Sequence, residues 1–338
     1  MTFEFAKSLQ KFNTFGFKVA AEKVLIANDE SSLLNALKGL PEPRHWQILG
    51  GGSNVVLVKD LPNLTILMKI PGKAMASETE TTWHIEVGAG ENWHDFVKWT
   101  ISEGFPGLEN LALIPGTCGA APIQNIGAYG AEVSQFIDEV RVLDTHKLDS
   151  SDPWLTLDKE ACQFDYRDSI FKHTANRFIV TKVRFAIPKR WQANLSYAEL
   201  AKELSTINEP NASQIFDAVC AIRERKLPNP EQIGNAGSFF HNPVVSSEKY
   251  LQLKERFPNI VAHPYHANFK LAAGWLIDQC GFKGITHKNV GVYEKQALVL
   301  VNHGNGNGTE LLELAELIKT KVKETYGVHL TQEPIILP

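Results

Sequence analysis

Cysteine is scarce: Cys118, Cys162, Cys220 and Cys280 are far apart and form no C-x-x-C pair. That excludes a disulfide framework and a cysteine-built zinc site, and the expectation is buried, reduced thiols. The histidines include no H-x-x-x-H pair, so no metal is expected. No apolar run approaches the roughly 20 residues that cross a bilayer. The start, Met1-Thr-Phe-Glu-Phe-Ala-Lys-Ser, lacks a basic flank followed by an apolar stretch, and the expectation is a cytoplasmic protein without membrane partners. Excess positive charge is missing too: a net charge of −4 gives no broad basic surface to attract nucleic acid. There is no internal repeat and no low-complexity linker. What remains, 43% hydrophobic and 21% charged residues over 338 positions, is the composition of a soluble enzyme with two or three modest domains.

Glycine is present where chemistry is plausible. In Ile48-Leu-Gly-Gly-Gly-Ser-Asn54-Val-Val-Leu57 an apolar run enters three glycines and leaves as another apolar run. The G-x-G-x-x-G spacing and following helix of a Rossmann turn are absent, so the segment reads either as a tight structural turn or as a phosphate cradle. A second small-residue segment, Leu113-Ile-Pro-Gly-Thr-Cys-Gly-Ala-Ala-Pro-Ile-Gln-Asn-Ile-Gly-Ala-Tyr-Gly130, carries no charge and lets backbone N–H groups approach a flat or anionic ligand. Two such segments are able to wrap a dinucleotide. Gly234-Asn-Ala-Gly-Ser-Phe-Phe-His-Asn-Pro243 sets the hydroxyl of Ser238 in what reads as a flexible turn.

Periodicity supplies the frame. Leu33, Leu34, Ala36 and Leu37 mark a short helix, followed by strands at 47–49 and 55–58. Trp93, Phe96, Val97, Thr100 and Ile101 mark a helix ending at Gly104, and strands follow at 140–143 and 178–185. A helix over 213–226, with Ser213 as its N-cap, places Arg223 and Lys226 on one face before Pro228 stops it. Two more helices run through 271–280 and 309–326, and the chain ends in a strand-like tail bearing Glu333. Taken singly, Ser238 reads as a turn residue, Arg167 as a partner of Asp168, Lys226 as a solvated helix end, and Glu333 as a surface carboxylate.

Together they carry a resemblance. Leu49-Gly-Gly-Gly-Ser-Asn54, Ile114-Pro-Gly116, Pro122-Ile-Gln-Asn-Ile-Gly-Ala-Tyr-Gly130, Tyr166-Arg-Asp-Ser169, Gly234-Asn-Ala-Gly-Ser-Phe-Phe240 and Leu271-Ala-Ala-Gly-Trp-Leu-Ile-Asp278 occur in order. In these the chain resembles, over essentially its whole length, the UDP-N-acetylenolpyruvoylglucosamine reductases, flavoenzymes of peptidoglycan precursor synthesis. The resemblance implies an α+β protein: a two-domain FAD-binding fold of the vanillyl-alcohol-oxidase (PCMH) type, not Rossmann, with a third α+β substrate-binding domain. Its expected bounds are 1–73 with 328–338, 74–218, and 219–327. It implies non-covalent FAD, since the turn ends in Asn54 where relatives with covalent flavin carry a histidine. Gly50, Gly51, Gly52, Ser53 and Asn54 would hold the pyrophosphate. Ile114, Pro115, Gly116, Gln124, Asn125, Gly127, Ala128 and Tyr129 would line the rest of the cofactor with Arg223.

By the same resemblance NADPH is the co-substrate and the partner is a small sugar nucleotide met by a monomer. Leu195-Ser-Tyr197-Ala-Glu-Leu200 matches the tyrosine loop of the family's longer subclass, and Tyr197 would close the site with Lys226 and Asn242. A second tyrosine usual in that subclass is replaced by His263, with Tyr265 close by. The implied reaction reduces an enolpyruvyl C=C bond, with hydride arriving through flavin N5 and a proton from Ser238. Arg167 and Glu333 would meet the negative charge that grows on the substrate carboxylate. Two rivals stay open from sequence: an oxygen-using flavin oxidase on the same fold, and a sugar-nucleotide binding module without chemistry.

Overall fold

Leu33, Ala36 and Leu37 are fully buried on the helix Glu30–Lys38, whose N-cap Asp29 accepts the Ser32 amide at 2.7 Å. That helix joins two strands of a four-stranded sheet ordered Phe3–Ser8, Ala20–Ala27, Leu61–Met68, Trp46–Leu49, the last two parallel. The computed structural model describes residues 3–42 and 44–338, and the chain divides into two units. The first comprises residues up to Lys7, Ala21–Gly51 and Pro62–Arg225. Its second sheet is antiparallel throughout, ordered Trp154–Asp158, Ile137–Asp144, Phe178–Pro188, Thr82–Gly88, Lys73–Glu78. The helix Trp93–Ser102, capped by Asn92, buries Trp93, Phe96, Val97 and Thr100. One apolar core runs through the unit from Leu25 to Ile222.

The helix expected over 213–226 spans Ala212–Lys226. Ser213 is not its cap. Asn211 and Gln214 exchange side-chain acceptors for each other's amides, both at 3.0 Å, which satisfies two donors at once and places the cap two residues before Ser213.

The second unit comprises Ser8–Ala20, Gly52–Leu61 and Lys226–Pro338. Its four-stranded antiparallel sheet is ordered Gly234–Ser238, Val299–Asn302, Val290–Val292, Thr286–His287, and a three-stranded one is ordered Val244–Ser246, Asn268–Leu271, Ala262–Tyr265. The tail strand Ile335–Leu337 pairs in parallel with Val55–Leu57. The helix Gly308–Tyr326 buries Leu311, Leu314, Ala315, Ile318 and Val322, and ends at Gly327 in the left-handed conformation that glycine adopts freely. The helix expected from Leu271 starts at Ala273, because Leu271 is still strand and Asn242 Oδ1 takes the Ala273 amide at 2.9 Å. Among the described residues, no helix is long and apolar enough to cross a membrane.

Residues 12–17 tie this unit together. The Thr14 amide donates to Gly52 O at 3.0 Å, and the Asn235 amide donates to Thr14 O at 3.0 Å. A Cβ on Gly52 (φ 63°) would lie 2.0 Å from Phe12 O. Gly52→Ala is therefore expected to cost more than about 2 kcal/mol, since left-handed backbone alone costs an alanine about 1–2 kcal/mol and the overlap adds to it. Hydrogen exchange at the Thr14 amide, compared with wild type, measures the local loss; unchanged protection would contradict it.

Candidate active site

In the first unit the two small-residue segments touch backbone to backbone. A Cβ on Gly50 would lie 2.7 Å from Thr117 Oγ1, and one on Gly51 would lie 2.7 Å from Gly116 Cα. Beyond Gly116 the chain is shaped by polar side chains. Asn125 (φ 44°) is buried; its amide donates to Asp165 O at 2.9 Å and to Glu132 at 3.2 Å, and its Oδ1 accepts the Ser134 amide at 3.0 Å. Both polar atoms of its side chain thus serve the fold of the protein itself. Gly127 and Ala128 pair with Glu132 and Ala131 in a short ladder. Ile114 and Gln124 are half-buried and Pro115 is exposed.

Arg167 sits in a two-residue reversal closed by mutual amide-to-carbonyl bonds between Asp165 and Asp168, both at 3.1 Å, which explains its φ of 55°. Its guanidinium donates to Gly127 O at 2.7 Å and to Asn125 O at 3.4 Å. Asp168 pairs with His173 at 2.7 Å. The cation is therefore held against the small-residue segment.

Arg223 projects from the helix Ala212–Lys226 and donates through Nε to Leu113 O at 3.2 Å. Burial lowers its pKa, opposed by the Tyr129 phenol to which it hydrogen-bonds, and the guanidinium stays charged at neutral pH. Burial in turn pushes the Tyr129 phenol up to about 12 against the pull of Arg223. The Tyr129 ring meets Tyr197 edge-on, with centroids 5.1 Å apart at 76°. Asn110 donates to both Tyr129 O (2.8 Å) and Asn194 O (2.9 Å), and Asn194 donates to Gly130 O at 3.0 Å, so the chain leading to exposed Tyr197 is fastened to the small-residue segment.

In the second unit Ser238 is not in a flexible turn. It ends the strand Gly234–Ser238 opposite Val299, past a register shift. Asn235 makes that shift: its Oδ1 accepts the Gly237 amide at 2.9 Å while its amide donates to Pro228 O and Ile233 O. Ser238 is exposed, whereas Phe239 and Phe240, which follow it, are buried. The Glu333 amide donates to Phe239 O at 2.8 Å, which fixes the backbone of Glu333 one residue from Ser238. Asn54 reaches Glu333 O at 3.4 Å, and the Ile335 amide bonds Asn54 O at 3.0 Å. The end of the glycine turn, Ser53 and Asn54 included, thus belongs with Ser238 and Glu333.

Lys226, half-buried, closes its helix. Asn242 spends Oδ1 on Ala273, and its amide nitrogen remains for other partners. His263 is exposed on the strand Ala262–Tyr265 opposite Lys270, whose Nζ lies 4.1 Å from the Tyr265 ring centroid. Of the expected trio, Ser238 and Glu333 are brought together in the second unit, and Arg167 belongs to the first. Among the described residues, no three or more His, Cys, Asp or Glu side chains gather to hold a metal. Cys118 and Cys162 are buried, Cys220 and Cys280 half-buried.

Sequence reading passed over Asn13, Thr14, Asn110, Asn235 and Asn302, the buried or half-buried polar residues that position the others. The one available signal was polar Asn13-Thr14 set among Phe12, Phe15 and Phe17, a pattern that invites a satisfied buried amide.

The uncharged, close-packed segments at 50–51 and 113–130 fit an extended anionic cofactor: they place backbone amides and no carboxylate in its way. Residues 21–146 match the family model of an FAD binding domain, and residues 229–337 that of the UDP-N-acetylenolpyruvoylglucosamine reductase C-terminal domain. The UDP-N-acetylenolpyruvoylglucosamine reductase of Polynucleobacter asymbioticus is 52% identical, covering 97% of this chain and 95% of the relative. That of Cupriavidus pinatubonensis is 51% identical, covering 97% of each. The solved reductase of Thermus caldophilus shares the fold, with TM-score 0.65 at 22% identity, over 100% of this chain and 98% of that one. Identity of this degree along nearly the full length of both chains decides the assignment: this chain belongs to the UDP-N-acetylenolpyruvoylglucosamine reductase family.

Proposed function

We propose that the protein uses NADPH to reduce the enolpyruvyl C=C bond of UDP-N-acetylglucosamine enolpyruvate, giving UDP-N-acetylmuramate. The observation that carries the reading is the 2.8 Å bond from the Glu333 amide to Phe239 O, which sets a carboxyl-bearing residue beside the exposed Ser238. FAD, the cofactor of this reductase, would supply the hydride relay between NADPH and the alkene when bound. The protein's own residues handle the charge and the proton. Residues 50–54 would hold the pyrophosphate of FAD, and residues 114–129 with Arg223 would line the remainder.

Hydride addition pushes a second negative charge onto the substrate carboxylate. Arg167 offers it a planar fork of N–H donors, and protonated Glu333 offers a further donor. Removing one preorganised donor of this kind costs about 2.7–4 kcal/mol of barrier, so either loss is severe. Ser238 Oγ–H then gives its proton to the other alkene carbon. A serine hydroxyl is a weak acid, and the positive charge of Lys226 offsets the alkoxide it leaves. Tyr197, Asn242 and His263 hold the nucleotide. We read the protein as a cytoplasmic monomer with the three-part division set out above.

Anaerobic stopped-flow absorbance of the flavin tests this. Ser238→Ala is expected to leave bleaching by NADPH nearly intact and to slow reoxidation by the enolpyruvyl sugar nucleotide by on the order of 10²–10⁴-fold. Equal loss in both half-reactions would remove Ser238 from the acid's role. A substrate carboxylate beside Glu333 raises the pKa of Glu333, because two carboxyls in reach of each other share a proton. The oxidative half-reaction should therefore slow as pH rises from neutral to alkaline, and Glu333→Gln should lose that dependence. A flat wild-type profile contradicts the donor role.

A further inference from the structure

The chain from Leu111 to Cys118 is strapped to the start of the helix Trp93–Ser102. Trp93 Nε1 donates to Leu111 O at 2.8 Å, the Trp93 amide donates to Gly116 O at 3.1 Å, and the Cys118 amide donates to Glu91 O at 2.9 Å. The fourth bond differs in kind: the Leu113 amide donates to His94 Nδ1 at 2.9 Å. Here a titratable side chain is the acceptor. Leu113 has a φ of 56°, unfavourable for leucine, and its carbonyl is held by Arg223 at 3.2 Å. The imidazole is itself fixed, stacked on Phe216 with centroids 5.2 Å apart and planes 11° from parallel.

Geometry fixes the protonation state. Nδ1 accepts only while it carries no proton, so the ring must be neutral with its hydrogen on Nε2. We propose that His94 is a positioning residue for Ile114-Pro-Gly116, and that its protonation releases this segment and weakens flavin binding. The inference rests on the reading of 114–116 as flavin-lining. A proton on Nδ1 would set N–H against N–H, and Leu113 would lose the bond that offsets its backbone strain.

The surroundings favour the neutral ring. Burial lowers the His94 pKa most, Lys98 on its own helix and Arg223 on the facing one lower it further, and Asp95 and Glu224 pull the other way; the net direction is down. The segment 113–118 carries no charge. A histidine held below its free value lends its stabilisation at pH above that free value and withdraws it as pH falls through the folded pKa. The strap therefore holds at neutral pH and opens on the acid side.

Two substitutions separate acceptor from ring. His94→Asn keeps an acceptor near Nδ1 and does not titrate, whereas His94→Phe keeps a ring against Phe216 and has no acceptor. Apoprotein is titrated with FAD at about pH 8 and about pH 5, on either side of the histidine range, with circular dichroism to verify folding. From one hydrogen bond, wild type is expected to lose about tenfold in affinity on acidification, the Asn variant to change little, and the Phe variant to bind about tenfold more weakly at both. Equal pH dependence in wild type and the Asn variant overturns the proposal, and this comparison suffices if the Phe variant fails to fold. A folded Phe variant with wild-type affinity also overturns it. Nitrogen-15 NMR of histidine then locates the fault: an Nε2–H tautomer with unchanged affinity means that 114–116 does not touch flavin, and free titration near the ordinary value means that the hydrogen bond is absent.

Discussion

Backbone packed against backbone, with no room for a Cβ, is the constraint on which the second unit depends. Gly52 lies against Phe12 and Gly234 against Phe15, where added methyl carbons would come within 2.0 and 2.2 Å of carbonyl oxygens. Such closeness leaves polar groups that must be paired. The Thr14 amide takes Gly52 O, Thr14 O takes the Asn235 amide, and Phe15 O takes Asn302 Nδ2 at 2.8 Å. Asn13 closes its own turn by accepting the Phe17 amide and donating to Leu9 O and Phe17 O. The strand carrying Ser238 is thereby registered against the glycine turn through a short arm that bears no chemistry itself.

The first unit solves a related problem by another route. Its small-residue segment has no charged side chain, a condition for meeting an anion, and so it cannot hold its own shape by ion pairs. Partners come from outside: Arg223 and His94 at Leu113, Asn110 at Tyr129, Arg167 at Asn125 and Gly127, and Ser169 at Ile123. Several of these lie on regular elements or their immediate caps. A loop that carries no charge of its own is thus made rigid by the scaffold around it.

This explains what was legible in the sequence and what was not. Helices with an apolar stripe, such as Trp93–Ser102 and Gly308–Tyr326, were readable within a residue or two because burial of that stripe decides them locally. The glycines at 50–52 were readable as special, although periodicity alone did not say whether packing or a ligand required them. Ser238 was misread as a turn residue because Gly-Asn-Ala-Gly has poor strand propensity. Its pairing comes from Val299, more than 60 residues away, and from an asparagine that makes the bulge. Ser213 lost the cap to Asn211 because reciprocity with Gln214 satisfies two amides. The candidate site residues were named from the family resemblance and not from local pattern.

Backbone strain occurs here as well as at positions outside these segments. Leu113, Asn125, Tyr129 and Arg167 all have left-handed φ values between 44° and 56°. Asparagine tolerates this region, but leucine, tyrosine and arginine each spend about 1–2 kcal/mol there. Each is compensated locally: Leu113 at both its amide and carbonyl, Tyr129 through Asn110 at the carbonyl and Arg223 at the phenol, and Arg167 through Lys172 at its own carbonyl and the segment's carbonyls at its guanidinium. Strain that persists only because its surroundings over-determine it fixes a conformation before any ligand arrives. Donors already in place spare the reorganisation that flexible ones would need when charge develops beside them. The bent backbone at Arg167 is thus one means by which its guanidinium is held on the carbonyls of Asn125 and Gly127.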